Sequence, residues 1–222
     1  MLVMGFGLSE KGPRKKNEDA YKLLIEKDRA IAVVADGVGG NAGGEVASKI
    51  AVEEVVSYAT LSEGDPLNVL RDSFLRANLS ILRESSKNPS LNGMATTCTG
   101  VLIKDCFLCL AHVGDSRAYL YRKGDLVRLT EDHSLPNSNV LINALGVKEN
   151  FYVETYKLKL MDLDKILLCT DGLYKSLRNE EIEKILSKSK GLQTPVQKLV
   201  ELALRNGCND NITVVLLEVR CG

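Results

Sequence analysis

The chain has no surplus of charge of either sign. Among 222 residues, 29 are Lys or Arg and 29 are Asp or Glu, so no net field favours nucleic acid or an anionic membrane. No apolar run reaches transmembrane length. The opening MLVMGFGLSEKGPRKK lacks a basic region ahead of an apolar stretch, and its apolar run is too short for a secretory signal. These absences predict a cytoplasmic protein that engages neither nucleic acid nor membrane. Internal repeats, low-complexity tracts and linkers are missing too, which predicts a single domain over residues 1–222, long enough to bury a large core without disulfide staples.

Zinc ligands are equally scarce. The two histidines, His112 and His133, sit in a strand body and a loop, where a structural role is expected. The six cysteines (Cys98, Cys106, Cys109, Cys169, Cys208 and Cys221) lie largely inside apolar runs and are expected to be reduced core residues. Cys106-x-x-Cys109 has the look of half a zinc site, but CFLCLAHV reads as a strand, whose odd spacing puts the two thiols on opposite faces. No second pair completes it.

What the sequence does contain is strands in runs and helices in pairs. Strand patterns fall at about 2–8, 20–25 and 30–35, then helical spacing from Gly44 to about 60. Asp65-Pro66 opens a second helical segment that ends before SSKNPSLNG. Four short strands follow at 96–103, 106–113, 117–122 and 125–130, and turn signals between them predict an antiparallel meander. Strands at 151–159 and 164–170, helices at 179–188 and 194–206, and a strand at 211–219 complete the chain. This grouping is that of an α+β protein with antiparallel sheets.

The distinctive feature is where the acids stand. IAVVADG and ILLCTDG are near-copies, each an apolar strand ending in Asp-Gly: Asp36-Gly37 and Asp171-Gly172. Glu18 and Asp19 lead into a strand, Asp210 precedes the last one, and Asp115 sits at a turn between strands. Each motif alone is more often a polar turn than a ligand. As a set, carboxylates at the ends of buried strands repel one another unless divalent cations neutralise them. All donors are oxygen, which suits Mg²⁺ or Mn²⁺ rather than zinc. The glycines after Asp36 lie where phosphate-cradling loops occur, but the Lys-Ser/Thr of a P-loop and the GxGxxG of a dinucleotide fold are absent.

In order, GPRKKNEDA, VVADGVGG with GGEVAS, MATTCTGVLI, AHVGDSRAYLYR, LTEDHSL, NVLINALG, LLCTDGL and NDNITVV resemble the type 2C protein phosphatases, in their compact bacterial form. The resemblance runs from about Gly5 to Val219. It implies a four-layer α-β-β-α sandwich, two antiparallel sheets flanked by helices, and two Mn²⁺ or Mg²⁺ ions at one end. By the family pattern Asp36 bridges the ions, which suits a carboxylate facing metals roughly 3.5–4 Å apart. Asp171 and Asp210 complete one ion, while Glu18 and the Gly37 carbonyl hold the other. Asp19 orients metal-held water from behind, Arg14 grips the phosphate through its planar fork, and Asp115 resembles the acid that some bacterial members use for a third ion. The implied activity is hydrolysis of phosphoserine and phosphothreonine by a water or hydroxide between the metals. The implied partners are phosphoprotein substrates and an opposing bacterial serine/threonine kinase, and a monomer is the default.

Three departures from the pattern stand out. Val38 occupies the position where many eukaryotic members carry a histidine assigned as general acid, and a valine transfers no proton. Ala95 replaces the glycine of a GTT motif. Only Pro136, Asn137 and Ser138 stand between DHSL and NV, where bacterial relatives usually carry a helical flap, which predicts a more open site. A phosphoprotein-binding module without turnover is the alternative, and it would require a broken acid set. Hydrolysis of sulfate or small phosphoesters in the same site stays open.

Overall fold

Two antiparallel sheets stack face to face in the computed structural model, which describes residues 1–38, 43–136, 138–147 and 151–222. One sheet runs in the order β1 (Leu2–Glu10), β11 (Ile212–Arg220), β10 (Lys165–Cys169), β7 (Arg117–Arg122), β8 (Asp125–Arg128). The other runs β2 (Asp19–Ile25), β3 (Arg29–Val38), β5 (Cys98–Lys104), β6 (Phe107–Val113), β9 (Glu154–Lys159), with the short β4 (Ala95–Thr96) added beside the end of β3. Helices α1 (Gly43–Leu61) and α2 (Pro66–Lys87) cover the second sheet. Helices α3 (Asp171–Tyr174), α4 (Asn179–Lys188) and α5 (Gln193–Arg205) lie against the first. This is the expected α-β-β-α sandwich.

The layering explains why the central strands are apolar without alternation. Side chains along a strand point to opposite faces in turn, and here both faces are covered. In β3, Ile31, Val33 and Ala35 pack under α1 and α2, while Ala30, Ala32 and Val34 pack between the sheets. In β11, Val215, Leu217 and Val219 face the other sheet, and Ile212, Val214 and Leu216 meet the α4–α5 layer. Burying one such side chain on either face contributes about 1.5–3 kcal/mol. At the start of α2, the Asp65 carboxylate accepts from the Leu67 and Asn68 N–H groups at 3.1 Å each, with Pro66 in the first turn, an N-cap that stabilises by about 1 kcal/mol.

The four-strand meander is not continuous. β5 pairs with β6 in one sheet, and β7 pairs with β8 in the other. The chain changes sheets at Gly114–Ser116, where Gly114 takes φ +105°, a left-handed conformation open to glycine. The Ser116 hydroxyl bonds Thr97 at 2.7 Å in the interior. The crossing places Asp115 on the seam between the sheets. β3 also outlasts its apolar run. It carries Asp36, Gly37 and Val38 because β4 pairs with Gly37 and Val38, and Asp171 opens a single helical turn rather than a loop. The expectation of six reduced cysteines holds for Cys98, Cys109, Cys169 and Cys208. Cys106 and Cys221 are instead joined in a disulfide across 115 residues, their Cα atoms 5.8 Å apart. Cys106 lies in the turn before β6 and Cys221 just past β11, a proximity that only the stacking of the sheets creates. The glycines expected at 39 and 40 to turn the chain into α1, and Asn137 of the short insertion, lie outside the described residues.

Candidate metal centre

One end of the sandwich collects the ends of β3 and β10, the starts of β2 and β11, and the β6–β7 crossing. Antiparallel register sets Asp19 opposite Asp36 across β2 and β3. The Gly37 N–H donates to the Glu18 carbonyl at 3.0 Å. Between the sheets, Thr170 and Thr213 from one sheet donate their hydroxyls to Asp19 Oδ2 of the other at 2.8 and 2.6 Å. These bonds fix the geometry of what lies above them. A cavity of about 240 Å³ opens there, lined by Arg14, Glu18, Asp36, Gly37, Asp115, Asp171 and Asp210. Every predicted site residue therefore reaches one cavity except Asp19, which lies buried behind it.

Hydrogen bonds to backbone or side chain hold each of these acids. The Asp36 N–H donates to Thr97 Oγ1 at 2.9 Å, and its carbonyl accepts from the Thr97 N–H at 2.9 Å and the Thr96 hydroxyl at 3.0 Å. This leaves the side chain aimed into the cavity. Asp210 Oδ1 accepts from the Asn211 N–H at 2.8 Å, and its Oδ2 accepts from Arg14 at 2.9 Å. Arg14 also donates through Nε to the Asn209 carbonyl at 2.8 Å, so its fork stands at the cavity mouth. Asp171 Oδ2 accepts from Lys175 Nζ at 2.6 Å, while Asp171 Oδ1 is buried with no hydrogen-bond partner. Tyr174 donates to the Asp115 carbonyl at 2.7 Å. At Gly37 a Cβ would run into the Gly44 carbonyl at the start of α1, so only glycine fits between Asp36 and the helix.

Burial and crowding raise three of these acids. Desolvation, followed by the charges of Asp19, Asp171, Asp210 and Asp115, raises Asp36 well above the usual carboxylate range. Desolvation raises Asp19 to about 7 against its two threonine bonds, and Asp171 and Asp210 push the same way. Asp115 rises to about 6 through desolvation and the charge of Asp171, relieved in part by Lys175. A cluster that resists its own ionisation, with one carboxylate oxygen buried and unpartnered, fits a hard divalent cation: the donors are all oxygen, and the cation supplies the missing charge. Asp36, Asp171, Asp210, Glu18 and the Gly37 carbonyl line the cavity and could hold it.

Sequence reasoning passed over two residues here. Asn211 clamps the loop that carries Arg14 and Glu18. Its Oδ1 accepts from the Glu18 N–H at 2.9 Å, and its Nδ2 donates to the carbonyls of Lys11 at 2.7 Å and Lys16 at 2.9 Å. The second Asn of NDN was its only signal, and it reads equally as a turn. Lys175 is the other, four residues beyond Asp171. The residues on either side of the short insertion after His133 pair as a hairpin, with Ser134 bridging Leu141 and the Leu135 N–H donating to the Val140 carbonyl at 2.9 Å. The hairpin brings Asn139 and Leu141 to the cavity wall.

His112, His133 and Glu154 form the one His/Cys/Asp/Glu group of metal-ligand spacing found among the described residues. Their ring nitrogens are spent on the protein. His112 Nε2 donates to the Glu131 carbonyl and its Nδ1 bonds the Thr99 hydroxyl, both at 2.8 Å. His133 Nδ1 accepts from the Gly114 N–H at 3.1 Å, and its Nε2 faces Glu154 at 3.2 Å. Desolvation, with His133 beside it, drives His112 down to about 3, so it stays neutral. The structural role expected for both histidines agrees with these contacts.

An oxygen-only, acid-lined cavity at a sheet end, with an arginine at its mouth, is the kind of site that metal-dependent phosphohydrolases use. The comparisons make the class specific. The protein phosphatase 2C family profile matches residues 7–210. The chain is 34% identical to the serine/threonine phosphatase stp of Listeria welshimeri, over 92% of this chain and 91% of that one. It superposes on serine/threonine phosphatase Stp1 from Staphylococcus aureus with a TM-score of 0.92 at 27% identity, covering 99% and 96% of the two chains. A solved catalytic domain of the serine/threonine protein phosphatase PstP in complex with two manganese ions matches at a TM-score of 0.88 and 31% identity, over 98% of each chain. The chain belongs to the protein phosphatase 2C family of metal-dependent serine/threonine phosphatases.

Asn211→Ala, which frees the 11–18 loop, is expected to weaken Mn²⁺ binding about tenfold in calorimetry, near the 1.4 kcal/mol of one net hydrogen bond; unchanged affinity would contradict the clamp. A carboxyl whose pKa is higher folded than unfolded stabilises the fold fully below the unfolded value of 3.8, and that stabilisation is lost as pH rises through the folded value, about 7 for Asp19. Metal-free protein is therefore expected to melt at lower temperature at pH 8 than at pH 5.5 relative to its Mn²⁺ complex. Asp36→Asn should raise the metal-free melting temperature at pH 8, by about 2–4 °C per kcal/mol recovered. A lower melting temperature for that variant would contradict the repulsion.

Proposed function

We propose that this chain is one catalytic domain that hydrolyses phosphoserine and phosphothreonine in proteins with two Mn²⁺ or Mg²⁺ ions. The observation that carries this reading is the convergence of Asp36, Asp171, Asp210 and Glu18 on one cavity with the Arg14 fork at its mouth. Asp36 would be shared by the ions; Asp171 and Asp210 would help hold one of them, and Glu18 and the Gly37 carbonyl the other. When bound, the ions supply the positive charge that acidifies water and neutralises the phosphate.

The chain's own groups do the rest. Arg14, exposed at the mouth, turns its planar fork from Asp210 to the phosphate oxygens, which it can pair two at a time. Asp19, fixed by Thr170 and Thr213, orients water from behind the cavity floor. Water attacks phosphorus directly, and no side chain is phosphorylated. Val38 lines the wall beside Asp36 and offers no proton, so the departing alkoxide takes its proton from water. The substrates are phosphoproteins modified by a bacterial serine/threonine kinase, and the domain acts as a monomer. None of its helices is long and apolar enough to cross a membrane, among the described residues.

Phosphate release from a phosphothreonine peptide is expected to require Mn²⁺ or Mg²⁺, to stop with EDTA, and to fall at least a hundredfold in Asp36→Asn. Activity that survives chelation or that substitution would contradict the mechanism.

A further inference from the structure

One cation is already built into the acid cluster. Lys175 follows the single turn of α3, and its Nζ donates to Asp171 Oδ2 at 2.6 Å and to Asn139 Oδ1 at 2.8 Å. The side chain is half-buried, held from one side by a residue of the 134–141 hairpin and from the other by a metal-site acid.

The Asp171 carboxylate is divided by this contact. Oδ1 is the buried oxygen with no hydrogen-bond partner. Oδ2 is taken. Asp115 is the next acid on that side. It lines both the central cavity and a neighbouring one of about 460 Å³, which Lys175 and Asn139 also line. A divalent ion held between Asp115 and Asp171 through Oδ2 would have to displace this ammonium or sit against it. Coulomb repulsion between a dication and a monocation at contact distance disfavours such a site.

We propose that Lys175, pinned between Asp171 Oδ2 and Asn139 Oδ1, is an internal cation that takes the place of a third divalent ion beside Asp115, so that the site is complete with two. The inference rests on the two-ion reading above and replaces the third ion that the family resemblance suggests for Asp115. Lys175 is here a positioning residue: it leaves Asp171 with one oxygen for metal, and it moors the hairpin to the acids.

Mn²⁺ stoichiometry tests this without reference to turnover. The full chain is titrated with Mn²⁺, with heat read by calorimetry and free ion by electron paramagnetic resonance. The wild type is expected to bind two ions per chain, as is Lys175→Arg, which keeps the charge. Lys175→Ala is expected to bind a third, more weakly, and to lose it again when combined with Asp115→Ala. Three ions in the wild type, or two in Lys175→Ala, would overturn the proposal. Failure of the wild type to bind any ion would overturn the two-ion reading itself and this inference with it. Since Lys175 is half-exposed and outside the core, a melting curve at matched Mn²⁺ confirms that Lys175→Ala is folded.

Discussion

Like charges held close together are the constraint around which this protein is arranged. Asp36, Asp171, Asp210, Asp115 and Asp19 stand at one end of the sandwich, where desolvation and mutual repulsion raise Asp36, Asp19 and Asp115. In water such groups would separate. They stay because each is anchored through its backbone or a buried neighbour: Asp36 through Thr96 and Thr97, Asp19 through Thr170 and Thr213, Asp210 through Asn211. Packing of the rest of the chain holds a charge distribution that is favourable only with cations present.

That arrangement also explains which cations the protein supplies itself. Arg14 and Lys175 each rest on one acid, Asp210 and Asp171 respectively. Both pairs are partly exposed, so each contributes little to stability on its own. Their value is in function. Arg14 is long and exposed enough to leave Asp210 for a phosphate, whereas Lys175 is tied on its second side by Asn139. On the proposed reading, Arg14 serves substrate and Lys175 completes the electrostatics.

Much of this was legible in the sequence because the site is made of strand ends. An apolar run that stops at Asp-Gly marks both a buried strand and the place where its end emerges, so Asp36 and Asp171 carried their own coordinates. The two-sided burial of β3 and β11 was legible for the same reason, as unbroken apolar runs. The rest depends on contacts remote in sequence. The split of the meander turns on which sheet β7 joins, and hairpin spacing is the same either way. The Cys106–Cys221 disulfide joins residues 115 positions apart. Asn211 and Lys175 have ordinary side chains whose roles appear only once the 11–18 loop and the 134–141 hairpin are folded against them.

Anomalous diffraction at the manganese edge, from crystals grown in Mn²⁺, tests the central claim most directly. The account predicts two manganese peaks per chain in the cavity, with the Asp36 carboxylate between them and Asp171 Oδ1 on one. A single peak, or manganese bound at His112, His133 and Glu154 instead, would contradict it.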